Sequence, residues 1–267
     1  LINTAGGKSQ AYVSQVVDKV NPRYYIGKGK VSEIKDLAEK LSIDTVIFDV
    51  ELSASQLYNL EEELKLHVVD WTSLILDIFA LRANTKESRL KIKLAQLKYQ
   101  LPRLNKWFSY LSRQAGGIGT RGPGETMLET DRRAVVRDIK SLESQLKDVE
   151  KTKKINRKAR TNIHNISLLG YTNAGKSTIL NQMMKLFGKD KYVYSDDLLF
   201  ATLDTSTRRL DFANTKVTLT DTVGFIDNLS EELNDSFLTT LDEIQFADML
   251  LIVIDASHNI EHQIHAI

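Results

Sequence analysis

Cysteine is absent from all 267 residues, which excludes disulfides and every thiolate metal site. Proline is nearly absent too, at three residues. No uncharged apolar run approaches the roughly 18 residues that would span a bilayer. The longest, Met249–Ile254, reads as a buried core strand. A signal-peptide pattern is lacking, and the opening at Leu1 is read as a start inside a longer protein. What remains is 42% hydrophobic and 27% charged, the composition of a globular chain of one or two domains.

The net charge of +1 hides a lopsided distribution. Arg82–Arg113 carries nine Lys/Arg against one acid, Glu87, and Asp131–Arg160 carries eleven against five. Ser195–Ile267 reverses this, with three Lys/Arg against fourteen Asp/Glu. A basic middle suggests a nucleic-acid face, against the plainer reading of solvated helix surfaces.

Residues 1–82 read as alternating strands and helices. Tyr12–Val17 is the first expected strand, followed by the loop Tyr25–Lys30 and a helix over Val31–Leu41. Thr45–Val50 is a continuous apolar strand of the parallel-sheet kind. Ser53 with Gln56 forms a capping box, Leu66–Val69 is a further strand, and Thr72 opens the helix Ser73–Leu81. The pattern predicts a small parallel α/β domain. Gly27-Lys28-Gly29-Lys30 could take a phosphate, but a plain tight turn is the better reading.

Residues 83–160 change character. Leu90, Leu94, Leu97, Leu101, Leu104, Phe108 and Leu111 form one a/d heptad seam. Leu128, Val135, Ile139, Leu142, Leu146 and Val149 form a second. The tip between them, Ala115–Glu125, holds five glycines and Pro123, so an antiparallel helical hairpin is favoured over a coiled coil with another chain. Pro102 is expected to kink or weaken the first arm.

Two motifs are declined. Gly117-Ile-Gly119-Thr-Arg-Gly122 matches a dinucleotide fingerprint but follows a helix, outside any βαβ unit. His258-Asn-Ile-Glu261-His262, with His265 nearby, matches a zinc-peptidase pattern with no distant third ligand to complete it, and reads as an exposed helix.

Residues 161–267 carry the strongest signal. Gly170-Tyr171-Thr172-Asn173-Ala174-Gly175-Lys176-Ser177 is an unbroken G-x-x-x-x-G-K-S phosphate loop. It lies between an apolar strand, Ile166–Leu169, and a helix, Lys176–Phe187. Successive N–H groups and the helix start would face anionic oxygen. Lys176 would reach the β- and γ-phosphates, and Ser177 Oγ would hold Mg²⁺. Leu186–Ser195 is a loop, and Phe200–Asp204 lies in a segment that could close over a γ-phosphate. Arg208–Phe212 and Val217–Thr220 are strands around an Asn214-Thr215 turn. The second runs into Asp221-Thr222-Val223-Gly224, a D-x-x-G motif placed to order Mg²⁺ and approach the γ-phosphate. A helix is expected over Glu231–Phe246.

GYTNAGKST, FATLD, DTVGF and GGIGTRGPGETMLETDRR together resemble the HflX-type GTPases, a translation-factor-related branch of the P-loop GTPases. YIGKGK, VIFDVELSASQLYNLE and LILDIFALRA are similar to the same family's N-terminal domain. The resemblance implies an α/β chain with three parts. These are a small parallel α/β domain over 1–82, a basic helical hairpin over 83–160 with a glycine-rich tip at 115–125, and a truncated P-loop GTPase domain over 161–267. It implies a cytoplasmic, Mg²⁺-dependent GTPase that binds GTP and GDP and associates with the large ribosomal subunit through rRNA. Some members split or rescue ribosomes. Ser177 and Thr202 are the implied Mg²⁺ ligands. Gly170–Thr178, Phe200, Ala201, Thr202, Leu203, Asp204 and Asp221–Gly224 are the implied nucleotide contacts, with Lys176, Thr202 and Gly224 in catalysis. Asn173 resembles the loop asparagine of potassium-activated GTPases, so K⁺ is an implied second cation. The expected state is a monomer without a membrane span.

Two departures from the family stand out. Phe225 occupies the position where many GTPases place a water-orienting glutamine. The N-K-x-D base-recognition segment does not occur before Ile267, so guanine specificity rests on resemblance. The competing reading is a P-loop ATPase, or a nucleotide-sensing scaffold whose hairpin binds protein.

Overall fold

A computed structural model describes residues 1–114, 123–158, 163–187, 205–212, 215–225, 242–257 and 259–267. Contacts divide the chain into two compact units. One comprises Leu1–Asp77 with Leu94–Glu143, and the other Ile78–Lys93 with Ser144–Ile267.

The first unit begins with a segment that refutes one expectation. Tyr12–Val17 forms no strand, and Tyr12 and Val16 are 87% and 91% exposed. Its alternation suits a strand, but the unit's sheet has only two members and neither pairs with it. Helix α1 (Lys28–Leu41) starts three residues earlier than expected, with Gly27 as N-cap. The expected glycine-lysine turn is instead the start of this helix, where Lys30 pairs with Glu33 at 2.7 Å. Strands β1 (Thr45–Ile47) and β2 (His67–Val69) pair in parallel, Thr45 opposite His67. They flank α2 (Ala54–Leu64), where the capping box is present in both directions: Gln56 N–H donates to Ser53 Oγ and Ser53 N–H to Gln56 Oε1. Leu52, Leu60, Leu64, Val68, Val31 and Tyr24 bury together as the core.

Helix α3 (Trp71–Arg82) is capped by Asp70, not Thr72. Asp70 Oδ1 accepts from Ser73 N–H at 2.9 Å, while Thr72 is buried. A carboxylate is the stronger partner for orphan N–H groups at a helix start. Ile75, Ile78 and Phe79 are wholly buried, as suits a helix apolar on nearly every face.

Helices α4 (Lys86–Gln114) and α5 (Pro123–Lys158) are the hairpin arms, of 29 and 36 residues. Pro123 opens α5 at a position where its missing N–H costs nothing, so the expected tip gives up its last three residues to the helix. The rest of the tip, 115–122, lies outside the described residues. Lys98 pairs with Glu143 at 3.0 Å, and Lys153 pairs with Glu87 at 2.5 Å. Moving forward along α4 thus moves backward along α5, which makes the arms antiparallel within one chain. Helix continues on both sides of Pro102. In α4 up to Leu104, the buried residues are Ser88, Lys91, Ile92, Ala95 and Tyr99, and the seam leucines over that stretch are only half-buried.

In the second unit, β3 (His164–Gly170) is central to a four-stranded sheet ordered β4-β5-β3-β6. Strands β5 (Thr215–Asp221) and β6 (Met249–Val253) lie parallel to β3, and β4 (Ser206–Phe212) lies antiparallel to β5. Helix α6 (Lys176–Phe187) packs Leu180 and Met184 onto Leu168, Leu210 and Leu219. The expectation of β6 as a core strand is corrected. It is a sheet edge among the described residues, with Met249 54% and Ile252 57% exposed. Its apolar run signals a strand that wants cover on both faces, which the described residues do not supply. Helices α7 (Asp242–Gln245) and α8 (Ile260–Ala266) complete the described elements. The earlier part of the helix expected over Glu231–Phe246, through 241, lies outside the described residues, as do 188–195 of the loop after α6 and Asn214 of the hairpin turn.

Candidate phosphate-binding site

The site forms at the carboxyl ends of β3 and β5, where open α/β sheets bind ligands. A side chain at Gly170 would place Cβ 2.3 Å from Val253 O, so only glycine lets β3 leave the sheet beside β6. Asn173 at φ 63° and Gly175 at φ 90° then bend the backbone into a concave turn. Such left-handed residues turn successive N–H groups toward one point, an anion-binding nest. Ile179 N–H donates to Gly175 O at 2.9 Å, fixing the start of α6 under that nest.

Lys176 is buried, and its Nζ donates to Gly170 O at 3.1 Å and Tyr171 O at 2.7 Å. Burial pulls its pKa down to about 8, and the charge of Asp221 only partly opposes this. The lysine is thus a cation held in a dry loop, short of anionic partners. Ser177 Oγ donates to Asp221 Oδ2 at 2.6 Å, joining the helix start to the end of β5. A hydroxyl and a fully buried carboxylate meeting there fit a hard divalent cation, with Ser177 as an oxygen ligand and Asp221 holding its water.

Gly170–Thr178, Asp221 and Gly224 come together in this structure. Thr222 and Val223 do so only as backbone. Thr222 Oγ1 is buried and donates to Leu168 O at 2.6 Å, and Val223 is buried as well. Phe200–Asp204, including Thr202, lies outside the described residues. Two features escaped sequence reasoning. Phe225 N–H donates to Gly170 O at 3.1 Å while Thr172 N–H donates to Phe225 O at 3.0 Å, a parallel bridge onto the loop. His262 of α8 meets the Tyr171 ring edge-on, with centroids 6.2 Å apart. Spacing within a motif gives no sign of either contact, because each joins the loop to a distant segment. His262 and His265 are exposed, and no metal-ligating cluster occurs among the described residues.

Three family models match successive stretches of the chain. Residues 1–80 match a family described as GTP-binding GTPase N-terminal, 82–160 its middle region, and 165–267 a 50S ribosome-binding GTPase. The chain is 48% identical over 257 residues to GTPase HflX of Caldanaerobacter subterraneus subsp. tengcongensis, covering 95% of this chain and 59% of that protein. It belongs to the HflX family of GTPases. GTPase HflX of Escherichia coli K12 is 44% identical over 260 residues, covering 96% of this chain and 60% of that one. The chain therefore spans about three-fifths of the length of these HflX relatives. Among solved structures, SsGBP in complex with GDP is similar at 28% identity and a TM-score of 0.55, over 99% of this chain and 70% of that one. A GTP-binding protein of Sulfolobus solfataricus, also with GDP, is similar at 26% identity and 0.52, over 99% and 68%.

Proposed function

We propose that this chain is the nucleotide-switch portion of an HflX-type GTPase, binding GTP and GDP with Mg²⁺ and hydrolysing GTP to GDP and phosphate. The observation that carries this reading is the buried Lys176 above a Ser177–Asp221 pair at the end of two parallel strands. Lys176 compensates the β- and γ-phosphate charge, and the turn from Gly170 to Thr178 binds phosphate oxygens through N–H groups. Ser177 and Thr202 would hold Mg²⁺, which would supply neutralising positive charge beside the phosphates. Phe200–Asp204 and Asp221–Gly224 contact the nucleotide, Gly224 through its backbone. An apolar side chain at Phe225 cannot polarise water, so another group orients the attacking water. Asn173, fixed in a left-handed turn, is suited to coordinate K⁺ there. Turnover in KCl against NaCl, with and without ribosomes, tests this; equal rates in all four conditions reject it.

The three-part division at 1–82, 83–160 and 161–267 belongs to the same reading. The hairpin docks a cytoplasmic, monomeric protein on the large ribosomal subunit, in support of splitting or rescue. Among the described residues, no helix is long and apolar enough to cross a membrane. Lys93, Lys140 and Lys147 are exposed on the arms, whereas Lys91, Lys98 and Lys153 pair with carboxylates. Neutralising each exposed lysine should lower the salt slope of large-subunit binding by about one. Direct titration with GDP, GTP, ADP and ATP decides the base. Tighter ADP or ATP binding would favour the ATPase reading.

A further inference from the structure

We propose that the D-x-x-G segment is latched onto the phosphate loop by the two-bond bridge through Phe225. The latched state admits a nucleoside diphosphate and shuts out the γ-phosphate of a triphosphate until the bridge opens. This rests on the nucleotide-binding reading of the same loop.

The bridge continues a strand pairing. Strands β3 and β5 pair regularly up to Leu168 opposite Asp221, after which residues 222–224 leave the ladder. Phe225 rejoins it, opposite Tyr171, giving its N–H to Gly170 O at 3.1 Å and taking the Thr172 N–H at 3.0 Å. Between these fixed points the chain is pulled across the mouth of the loop. A Cβ at Gly224 would stand 2.6 Å from Thr172 Cα, 2.8 Å from Thr172 N and 2.9 Å from Lys176 Nζ. Only glycine therefore fits against the Thr172 backbone on this path, with no room for a side chain between it and the lysine ammonium.

That space is where a terminal phosphate must sit. A phosphoryl oxygen accepting from both Lys176 and a D-x-x-G backbone N–H needs about 2.9 Å to each donor. In the proposed latched state, the Gly224 backbone packed against Thr172 and turned toward Lys176 takes up that place. Lys176 instead spends its protons on Gly170 O and Tyr171 O. The first turn of α6 is untouched, because neither bridge bond uses an N–H beyond Thr172 and Ala174 N–H turns back to Tyr171 O. A diphosphate can settle on that helix start with the latch closed. A triphosphate first has to break two backbone bonds, so its apparent affinity falls by the fraction of open molecules.

Because the chain has no cysteine, a disulfide can be placed at the bridge without side reactions. In the double variant Tyr171→Cys/Phe225→Cys, oxidation holds the latch shut. The oxidised and reduced forms of this variant should bind GDP alike, whereas the oxidised form should bind a non-hydrolysable GTP analogue at least tenfold more weakly than the reduced form. Equal analogue affinity in both forms overturns the latch. In the unmodified chain, the Phe225 amide should exchange slowly with solvent both alone and with GDP, and lose that protection with the analogue. Unchanged protection on analogue binding also overturns it, whether or not the disulfide closes. If reduced and unmodified proteins bind neither nucleotide, the nucleotide reading itself fails; if GDP binds and the latch tests fail, only the latch does.

Discussion

At the scale of single residues, two buried polar groups decide most of what can be measured. Lys176 has a folded pKa near 8, below its usual 10.5 because burial disfavours its charge. The unfolded chain therefore keeps that proton longer, so stability of the nucleotide-free protein should rise as pH climbs from about 8 to 10.5. Urea unfolding across that window measures the slope, and Lys176→Met should flatten it. Nucleotide binding near pH 9 should take up a proton, read as a dependence of calorimetric heat on the buffer's ionisation enthalpy. Asp70 is the second such group. It is fully buried, accepts from Tyr99 Oη at 2.5 Å, Ser73 N–H and Leu52 N–H, and meets Arg103 Nη2 at 3.4 Å. The Arg103 guanidinium in turn stacks on the Tyr99 ring and donates to Leu52 O. Burial and the Asp70 carboxylate push the Tyr99 hydroxyl well above its ordinary pKa. Tyr99→Phe removes one of the carboxylate's donors and should cost about 1–2 kcal/mol. Asp70→Ala strands Arg103 and uncaps α3, and should cost about 3–5 kcal/mol by chemical denaturation.

At the scale of elements, legibility followed from how local the determining interactions are. The capping box of α2 is four residues long and was readable in full. The phosphate loop was equally plain, since its glycines answer to backbone geometry within a few residues. Tyr12–Val17 carried a strand's alternation, but a strand exists only where a neighbour offers N–H and C=O groups, and sequence does not show the neighbour. The cap of α3 failed for a related reason: Thr72 is a good N-cap type, but Asp70 is better placed and tied to three segments at once. In the hairpin, leucine spacing located the arms and charge counts overstated their free basic surface. Burial alone would raise the Glu87 carboxyl, yet Lys153 and Lys91 outweigh it and hold the pKa below the usual value. Its contribution is complete above its unfolded pKa and is lost as pH falls through the lowered folded one. Glu87→Gln should therefore cost about 1 kcal/mol at neutral pH and shrink the acid limb of the stability profile, measured by urea unfolding at pH 3–7.

At the scale of the whole molecule, charge and apolar surface are dealt out unevenly. The basic residues gather on α4 and α5, while three of the four strands of the phosphate-loop sheet, β4, β5 and β6, fall in the acidic stretch Ser195–Ile267. Of these, β6 exposes Met249, Leu250 and Ile252 at a sheet edge. Among the described residues β6 ends the sheet, and an apolar edge of this kind is a template for a further strand. Ile252, 57% exposed, lies outside the phosphate loop, so Ile252→Lys should leave GDP affinity within twofold by calorimetric titration.

The length of α5 has a consequence of another kind. At about 1.5 Å per residue, a 36-residue helix is a rod roughly 54 Å long, and every residue on it has both a height and a phase. Deleting one residue between Arg133 and Glu143 turns the remainder by about 100°, carrying the carboxylate of Glu143 off the side that meets Lys98. Deleting seven shortens the rod by about 10 Å but turns it by only about 20°. The pairing of the two arms thus tolerates changes of length in α5 that come close to whole heptads, and is lost with a single-residue change.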